Sequence, residues 1–292
     1  MPTPASRGYA PFDLSPGEVV FGLFAGAVAV GSVVGFFGVV RRFRGVVWLR
    51  PGGRRARDGA IARRLVVGGI TAGLLATLGV LLGWSDPVHV RGHLDYTLLF
   101  LVAAAAWQGL VAATVPWVGG FSLRDDVGER ANVAAAWPAA AALAGAGVLF
   151  GLANAGAGDT IWTTVVPVAM ATVAWLVLWL TLSLATGLPG RIAIGRDVAA
   201  GVRLAAYLMA SAVVLGAATM GDFVSYGAAA ADLVRLGWPV RIVWAIAAAA
   251  ERVHRPTPAR PVGAVGRDAG WVVVKHTVVA AIAVARAAGR WP

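Results

Sequence analysis

The chain contains no cysteine, so it can build neither a disulfide framework nor a thiolate metal site, and no cysteine nucleophile exists. Charge is scarce as well. Only 13% of residues are Asp, Glu, Lys or Arg, about half of the roughly 25% that a water-soluble domain carries. A Walker-type glycine loop, a dinucleotide fingerprint and a nucleophile with a neighbouring base are all missing. These absences argue against a soluble enzyme and, with no cofactor motif in sight, the chain reads as non-catalytic.

What is present is apolar. Hydrophobic residues make up 59% of the 292, and the solvent this implies is lipid. A helix needs about 20 apolar residues to cross a bilayer core, and six runs reach that length: 18–40, 65–84, 96–117, 133–153, 161–185 and 198–220. Their links, among them "NAGAGD" and "TGLPGRIAIGRD", are short, so consecutive helices run antiparallel. The expected fold is an all-α integral membrane protein, a polytopic bundle of antiparallel helical hairpins with six transmembrane helices and two more at the C-terminus. The latter pair, "ADLVRLGWPVRIVWAIAAAAERVHR" and "GWVVVKHTVVAAIAVARAAGR", carries Asp232, Arg235, Arg241, Lys275 and Arg286. Either these are two degenerate spans whose charges face the bundle or snorkel, or they are amphipathic helices lying in the interface. The organisation is then an N-terminal tail (1–17), a first hairpin (18–95), two tandem hairpins (96–222) and the degenerate C-terminal segment (223–292).

Nine of the 24 arginines fall in residues 41–64, against one acid, Asp58. Loops that collect Lys and Arg beside spans stay on the cytoplasmic side. Placing this loop inside puts the N-terminus outside, and the later loops then alternate. Arg124, Arg130, Arg191 and Arg196 fall inside, whereas "NAGAGD", with only Asp159, falls outside. Trp84, Tyr96, Trp117 and Trp162 sit near span ends, where amphipathic rings favour the headgroup region. The first apolar run is no cleaved signal peptide, because its basic residues follow it and it exceeds the usual apolar length. The product is expected to be multi-pass, with this loop on the cytoplasmic side. Arg41, Arg42, Arg44, Arg54, Arg55, Arg57, Arg63 and Arg64 are candidates for holding anionic lipid headgroups or a cytoplasmic protein. Nucleic acid is not an expected partner, since no aromatic-basic motif accompanies the charge.

Shifting the chain by 65 residues lays 96–156 on 161–221 without a gap: Asn132 falls on Asp197, "VAAA" on "VAAG" and Gly151 on Gly216. Self-similarity at a fixed period reads as a duplicated unit, here a helical hairpin, with a weaker copy at a shift of 68. Asn132 and Asp197 each precede a span and are expected as N-caps. Arg203 lies about 9 Å further in; it can snorkel, or turn into the bundle toward Asp197 or an anion. Close helix approach in lipid comes through small residues. Gly79/Gly83 and Gly147/Gly151, with Gly216 as the aligned copy, occupy one register of the hairpins and are assigned to helix packing, which also makes a second copy of the chain a candidate partner.

"NVAAAWPAAAALAGAGVLFG" and "DVAAGVRLAAYLMASAVVLGAATMGD" resemble the bacterial inner-membrane family designated domain of unknown function 350, whose members are tandem two-helix units. The resemblance covers residues 96–222, with 65–84 as a further, weaker copy; Pro138 and the last hairpin depart from it. It implies an inner-membrane location and no assigned activity. Among polar residues, Asn132, Asn154, Asp197, Arg203 and Asp222 are candidates to line a path through a small transporter or channel-like protein. The other reading is a structural or signalling scaffold that oligomerises and binds lipid or a partner through its arginine-rich loop. His89 and His93 in "DPVHVRGHLD" are weak metal candidates, because Pro87 and Gly92 oppose a regular helix there. The acids of "DDVGE" are read as a solvated salt-bridge patch. A cysteine-free background allows a direct topology test: a membrane-impermeant maleimide added to intact cells should label Asp159→Cys and leave Arg124→Cys unlabelled, and the reverse pattern would invert the assignment.

Overall fold

The computed structural model describes residues 54–85, 93–156, 161–255, 274–280 and 282, with the side chains of 54–56 excepted. Along these residues the elements are α1 (Arg54–Gly83), α2 (Leu94–Gly119), a π-helical turn (Leu123–Glu129), α3 (Val133–Leu152), α4 (Trp162–Thr186), α5 (Leu188–Ala193), α6 (Val198–Ala218), α7 (Tyr226–Leu236) and α8 (Pro239–Val253). Five helices, α1 to α4 and α6, are long and apolar enough to cross a membrane; α7 and α8, bent by 44° at their junction, make six if they count as one span. The chain is thus a helical, polytopic membrane protein. The expected first span at 18–40 and Arg41, Arg42, Arg44 and His89 lie outside the described residues, as does most of 270–289.

One boundary moves. The expected arginine-rich loop ran to residue 64, but α1 is already helical at Arg54. Arginine and alanine are good helix formers, and arginine stems can lie along a helix while their heads reach water or headgroups. Arg57, Arg63 and Arg64 therefore ride on the first turns of a span.

The helix at the centre is α3, with 17 of its 20 residues buried. On one side Gly69 of α1 meets Ala140, Gly73 meets Leu143 and Ala144, and Gly151 meets Thr77. On the other side Ala134 meets Gly201 of α6, Gly145 meets Ala212, and Gly216 meets Leu152. Positions rise together in both sets, so α1, α3 and α6 run parallel. Between them run α2 and α4, which are parallel to each other: Trp107 Nε1 donates to Thr172 Oγ1 at 3.1 Å, and Gly119 lies against Trp179. On α4, Trp175 Nε1 donates to Ser211 Oγ of α6 at 2.9 Å.

Lipid offers helices no hydrophobic reason to associate, so contact rests on close packing. A Cβ on Gly147 would stand 2.5 Å from the backbone of Gly73, and one on Gly69 would stand 2.3 Å from the Ala140 carbonyl oxygen. Thr77 adds a stitch, its hydroxyl donating to Gly147 O at 2.9 Å. Gly201 has its own reason. Pro138 has no N–H to give the Ala134 carbonyl one turn back, and a Cβ on Gly201 would sit 2.2 Å from that oxygen. The backbone of α6 thus closes on the carbonyl whose helical donor is missing.

Two assigned packing glycines lie away from α3. Among the described residues, a Cβ on Gly79 or Gly83 would meet nothing within 4 Å. At about 100° per residue, the stripe Gly69, Gly73, Thr77 faces α3, and positions 79 and 83 are turned about 120° and 80° away from its centre. Gly147, Gly151 and Gly216 do lie at contacts. Gly147→Ala is expected to lower stability by about 1 to 3 kcal/mol through overpacking, while Gly79→Ala should be neutral or gain up to ~1 kcal/mol of helix propensity; thermal unfolding in detergent, followed by tryptophan fluorescence, distinguishes the two.

Candidate functional site

Three parallel helices that begin together bring their N-termini to one end of the bundle. Asn132 and Asp197 cap two of them. Asn132 Oδ1 accepts from Ala134 N at 3.0 Å and Ala135 N at 3.4 Å, and Asp197 Oδ1 accepts from Ala200 N at 3.0 Å. Each caps free N–H groups and, for Asp197, sets a negative charge at the positive end of a helix dipole. The residue before each is left-handed without being glycine, Ala131 with φ 52° and Arg196 with φ 50°, an uncommon and costly conformation. Both chains approach alike: Asn132 N donates to Asp126 O at 2.9 Å, and Asp197 N donates to Arg191 O at 3.1 Å.

The second function of each cap differs. Asn132 Nδ2 donates to the carbonyls of Ile192 and Ala193 at 2.9 and 3.3 Å, fastening α3 to the end of α5. Asp197 instead receives a charge: Arg191 NH2 donates to its Oδ2 at 2.7 Å. From Arg191 the ion chain continues, NH1 meeting Glu251 Oε2 at 2.5 Å. Glu251, on α8, then takes both Nε and NH2 of Arg203 at 2.6 and 3.1 Å.

The cluster is therefore Asp197, Arg191, Glu251, Arg203, alternating in sign and neutral as a whole. Glu251 and Arg203 are 4% and 2% exposed, so neither snorkels to water. Arg203 turns inward, as one of its two expected readings had it, but its partner is Glu251 and not Asp197. A carboxylate gripped by a guanidinium fork is a strong, directional pair. Three donors at the cluster, Arg203 NH1, Arg191 Nε and the Tyr207 hydroxyl, have no hydrogen-bond partner among the described residues. Leu182, Leu188, Leu204 and Ala247 close a crevice around the pair that has no room for a water molecule. Tyr207 also meets the ring of His276 edge-on, the centroids 6.4 Å apart.

Sequence reasoning missed Glu251. Its signal was present: Val240, Val243, Ala247 and Glu251 recur at helical spacing, and all four are buried, so the acid continues the apolar stripe of α8. By contrast Asp232, Arg235 and Arg241 are exposed, and α7 has no buried residue.

The remaining candidates are dispersed. Asn154 sits at the opposite end of α3, donating to Phe150 O at 2.7 Å and accepting from Thr164 Oγ1 at 3.2 Å. Asp222 is exposed beyond α6. Three cavities lined by described residues lie at the basic end, along the flank of α3 and around the ion pair, and none of the three joins the two ends. His93 is the N-cap residue of α2, its ring against Tyr96, and the described residues hold no group of three His, Asp or Glu that could bind a metal. The "DDVGE" patch divides: Arg124 pairs in the open with Asp125 and Glu129 at 3.8 and 3.5 Å, whereas Asp126 is buried, accepting from Ser122 N at 2.8 Å and Arg130 NH1 at 3.0 Å.

The fold and this arrangement define a class, a multi-pass helical membrane protein with a buried ion cluster near one end. No family model, no curated protein and no solved structure matches the chain. Removing one member of the pair leaves an uncompensated charge, which costs about 3 to 5 kcal/mol. Arg203→Met and Glu251→Gln are each expected to destabilise by that order, and the double variant by clearly less than the sum. Thermal unfolding of the four proteins in detergent measures the coupling, and additivity would show the pair to be energetically idle.

Proposed function

We propose that this chain is a small transporter or channel-like protein of a bacterial cytoplasmic membrane, in a closed state, and that the clamp of Arg191 and Arg203 on Glu251 is its gate. One observation carries the reading: a carboxylate on the buried face of a bent helix pair is held by two arginines, one on α5 and one on α6. Ionisable groups inside a membrane are costly and mark ion or substrate pathways. Interrupted helices are the usual carriers of such sites in transporters. Releasing Glu251 would free the end of α8, whose hinge lies between Leu236 and Pro239. The reading is non-catalytic.

The side of the membrane and the family belong to the same proposal. Arg57, Arg63, Arg64, Arg130, Arg191 and Arg196 gather at the end where α1, α3 and α6 begin, whereas Asp95 and Asp222 flank helix ends at the other. That asymmetry supports a cytoplasmic location for the basic end. The matched capping loops, 65 residues apart, support duplication of a hairpin and, with it, membership of the family designated domain of unknown function 350.

A second reading, an oligomerising scaffold that binds lipid or a cytoplasmic partner through residues 41–64, is favoured by a different observation. Asn132, Asn154 and Asp197 all spend their side chains on local structure, and α3 is sealed by backbone contact on both sides. Proteoliposomes separate the two. With fluorescent reporters of proton, potassium and chloride, the gate predicts that Glu251→Gln raises the leak of at least one ion about tenfold over wild type, while Asp232→Asn does not. A flat response from folded variants would overturn the gate, and the scaffold then predicts that neutralising the arginines at 41, 42, 44, 54, 55, 57, 63 and 64 abolishes partner recovery.

A further inference from the structure

The parallel course of α1, α3 and α6 places two cavities one above the other. The upper, of about 670 Å³, is lined by Asp58 and Ile61 on α1, by residues 130–134 leading into α3, and by Arg196 and Val198 at the start of α6. The lower, of about 590 Å³, takes up the same three helices further along, beginning at Arg64 on α1, Trp137 on α3 and Val202 on α6 and reaching Ala144 and Val213, with Thr277 and Ala280 also on its wall. Each step along a parallel helix moves the same way through the membrane, so the two lie in line along the same helices as successive parts of a groove, polar at the basic end and apolar below. Both volumes lie in the range of about 300 to 1,000 Å³ typical of ligand sites.

The two halves ask for different chemistry. Arg130 and Arg196 at the upper cavity are exposed; Arg130 shares Asp126 at 3.0 Å, and Arg196 forms no ion pair among the described residues. Asp58 opposes them, and Arg64 at the seam adds a further positive charge. The positive end of α3, capped only by the neutral Asn132, reinforces the field. In the lower cavity the wall is made of small side chains such as Gly68, Ala72, Ala141 and Ala206, with Trp137, 37% exposed, near its mouth. A tryptophan at that depth is where amphipathic rings settle beside headgroups. A free anion would satisfy only the upper half, and an apolar helix only the lower.

We propose that this groove binds one anionic phospholipid, its phosphate between Arg130 and Arg196 and one acyl chain in the slot beside Ala141 and Ala206. This site borrows Asp58, Ile61 and Arg64 from the end of the 41–64 segment, places its phosphate on Arg130 and Arg196, and does not depend on the gate. It requires only that the protein sits in a bilayer.

Native mass spectrometry of the full chain, released from nanodiscs of mixed phosphatidylglycerol and phosphatidylcholine, tests it. Wild type should retain one phosphatidylglycerol. Arg130→Gln with Arg196→Gln should reduce that retention about tenfold, and Ala141→Leu with Ala206→Leu should abolish it, while Arg235→Gln leaves it intact. Thermal unfolding confirms that each variant is folded. A phosphatidylglycerol with a diazirine in its acyl chain, used on the wild type, should crosslink to peptides containing Ala141 or Ala206, a readout that needs no variant. Three outcomes overturn the proposal: equal retention of phosphatidylglycerol by folded variants of both kinds; displacement of bound lipid by millimolar inorganic phosphate alone, which would mark the arginine pair as a free-anion site; or disulfide formation between cysteines placed at Ala141 and within 18–40, which would mean that the chain's own segment fills the slot. A flat ion-flux assay would leave this result untouched.

Discussion

In a bilayer, the lipid tails are as apolar as the side chains, so helices must find another reason to meet, and here that reason is backbone approach. The whole arrangement depends on α3 coming close to α1 at Gly69, Gly73 and Gly147, and to α6 at Gly201. Those contacts fix more than distance. They fix register, and register brings the three N-termini to one level. The caps, the arginines around them and the ion cluster are neighbours because small residues let three parallel backbones align.

Once the ends are level, a single local design serves two places. Ala131 and Arg196 take the same left-handed turn, and each next residue caps a helix while its N–H reaches six residues back. The difference of one atom type then decides what each loop does next. The Asn132 amide has donors to spare and satisfies carbonyls at the end of α5. The Asp197 carboxylate can only accept, so it draws in Arg191, and through Arg191 it is joined to Glu251. An amide makes a neutral stitch where a carboxylate starts a charge relay.

The spans at α1 to α4 and α6 were legible in the sequence, because a run of about 20 apolar residues has few other uses. The caps were legible too, since Asn132 and Asp197 stand where free N–H groups need acceptors. Glycine spacing was a weaker guide. Gly79/Gly83 has the same spacing as Gly69/Gly73, and only the direction in which α1 meets α3 separates them. Spacing describes one helix, whereas packing is a property of two. The cluster was half legible for the same reason: Arg203 stood out as a charge inside a span, but its partner lies 48 residues on. A single acid on the apolar stripe of α8 pointed to it, provided α8 was read as a helix with one buried face.

Burying two carboxylates and two guanidinium groups is costly, and their mutual attraction offsets that cost only when the geometry is good and the lone pairs are filled. The fork of Arg203 on Glu251 meets the first condition. The second is met only in part, since Arg203 NH1, Arg191 Nε and the Tyr207 hydroxyl have no partner among the described residues. A cluster that is neutral, water-excluding and incompletely satisfied is poorly suited to be a pure stabiliser, because well-packed apolar residues of similar volume would do as well or better. It is well suited to holding α8 in one of two positions, since a carboxylate that leaves its arginines cannot leave by degrees in a dry site. The same helix that supplies Arg203 to the clamp turns Val202 and Ala206 toward the flanking groove, so one face of α6 carries the buried charge while another makes an apolar wall.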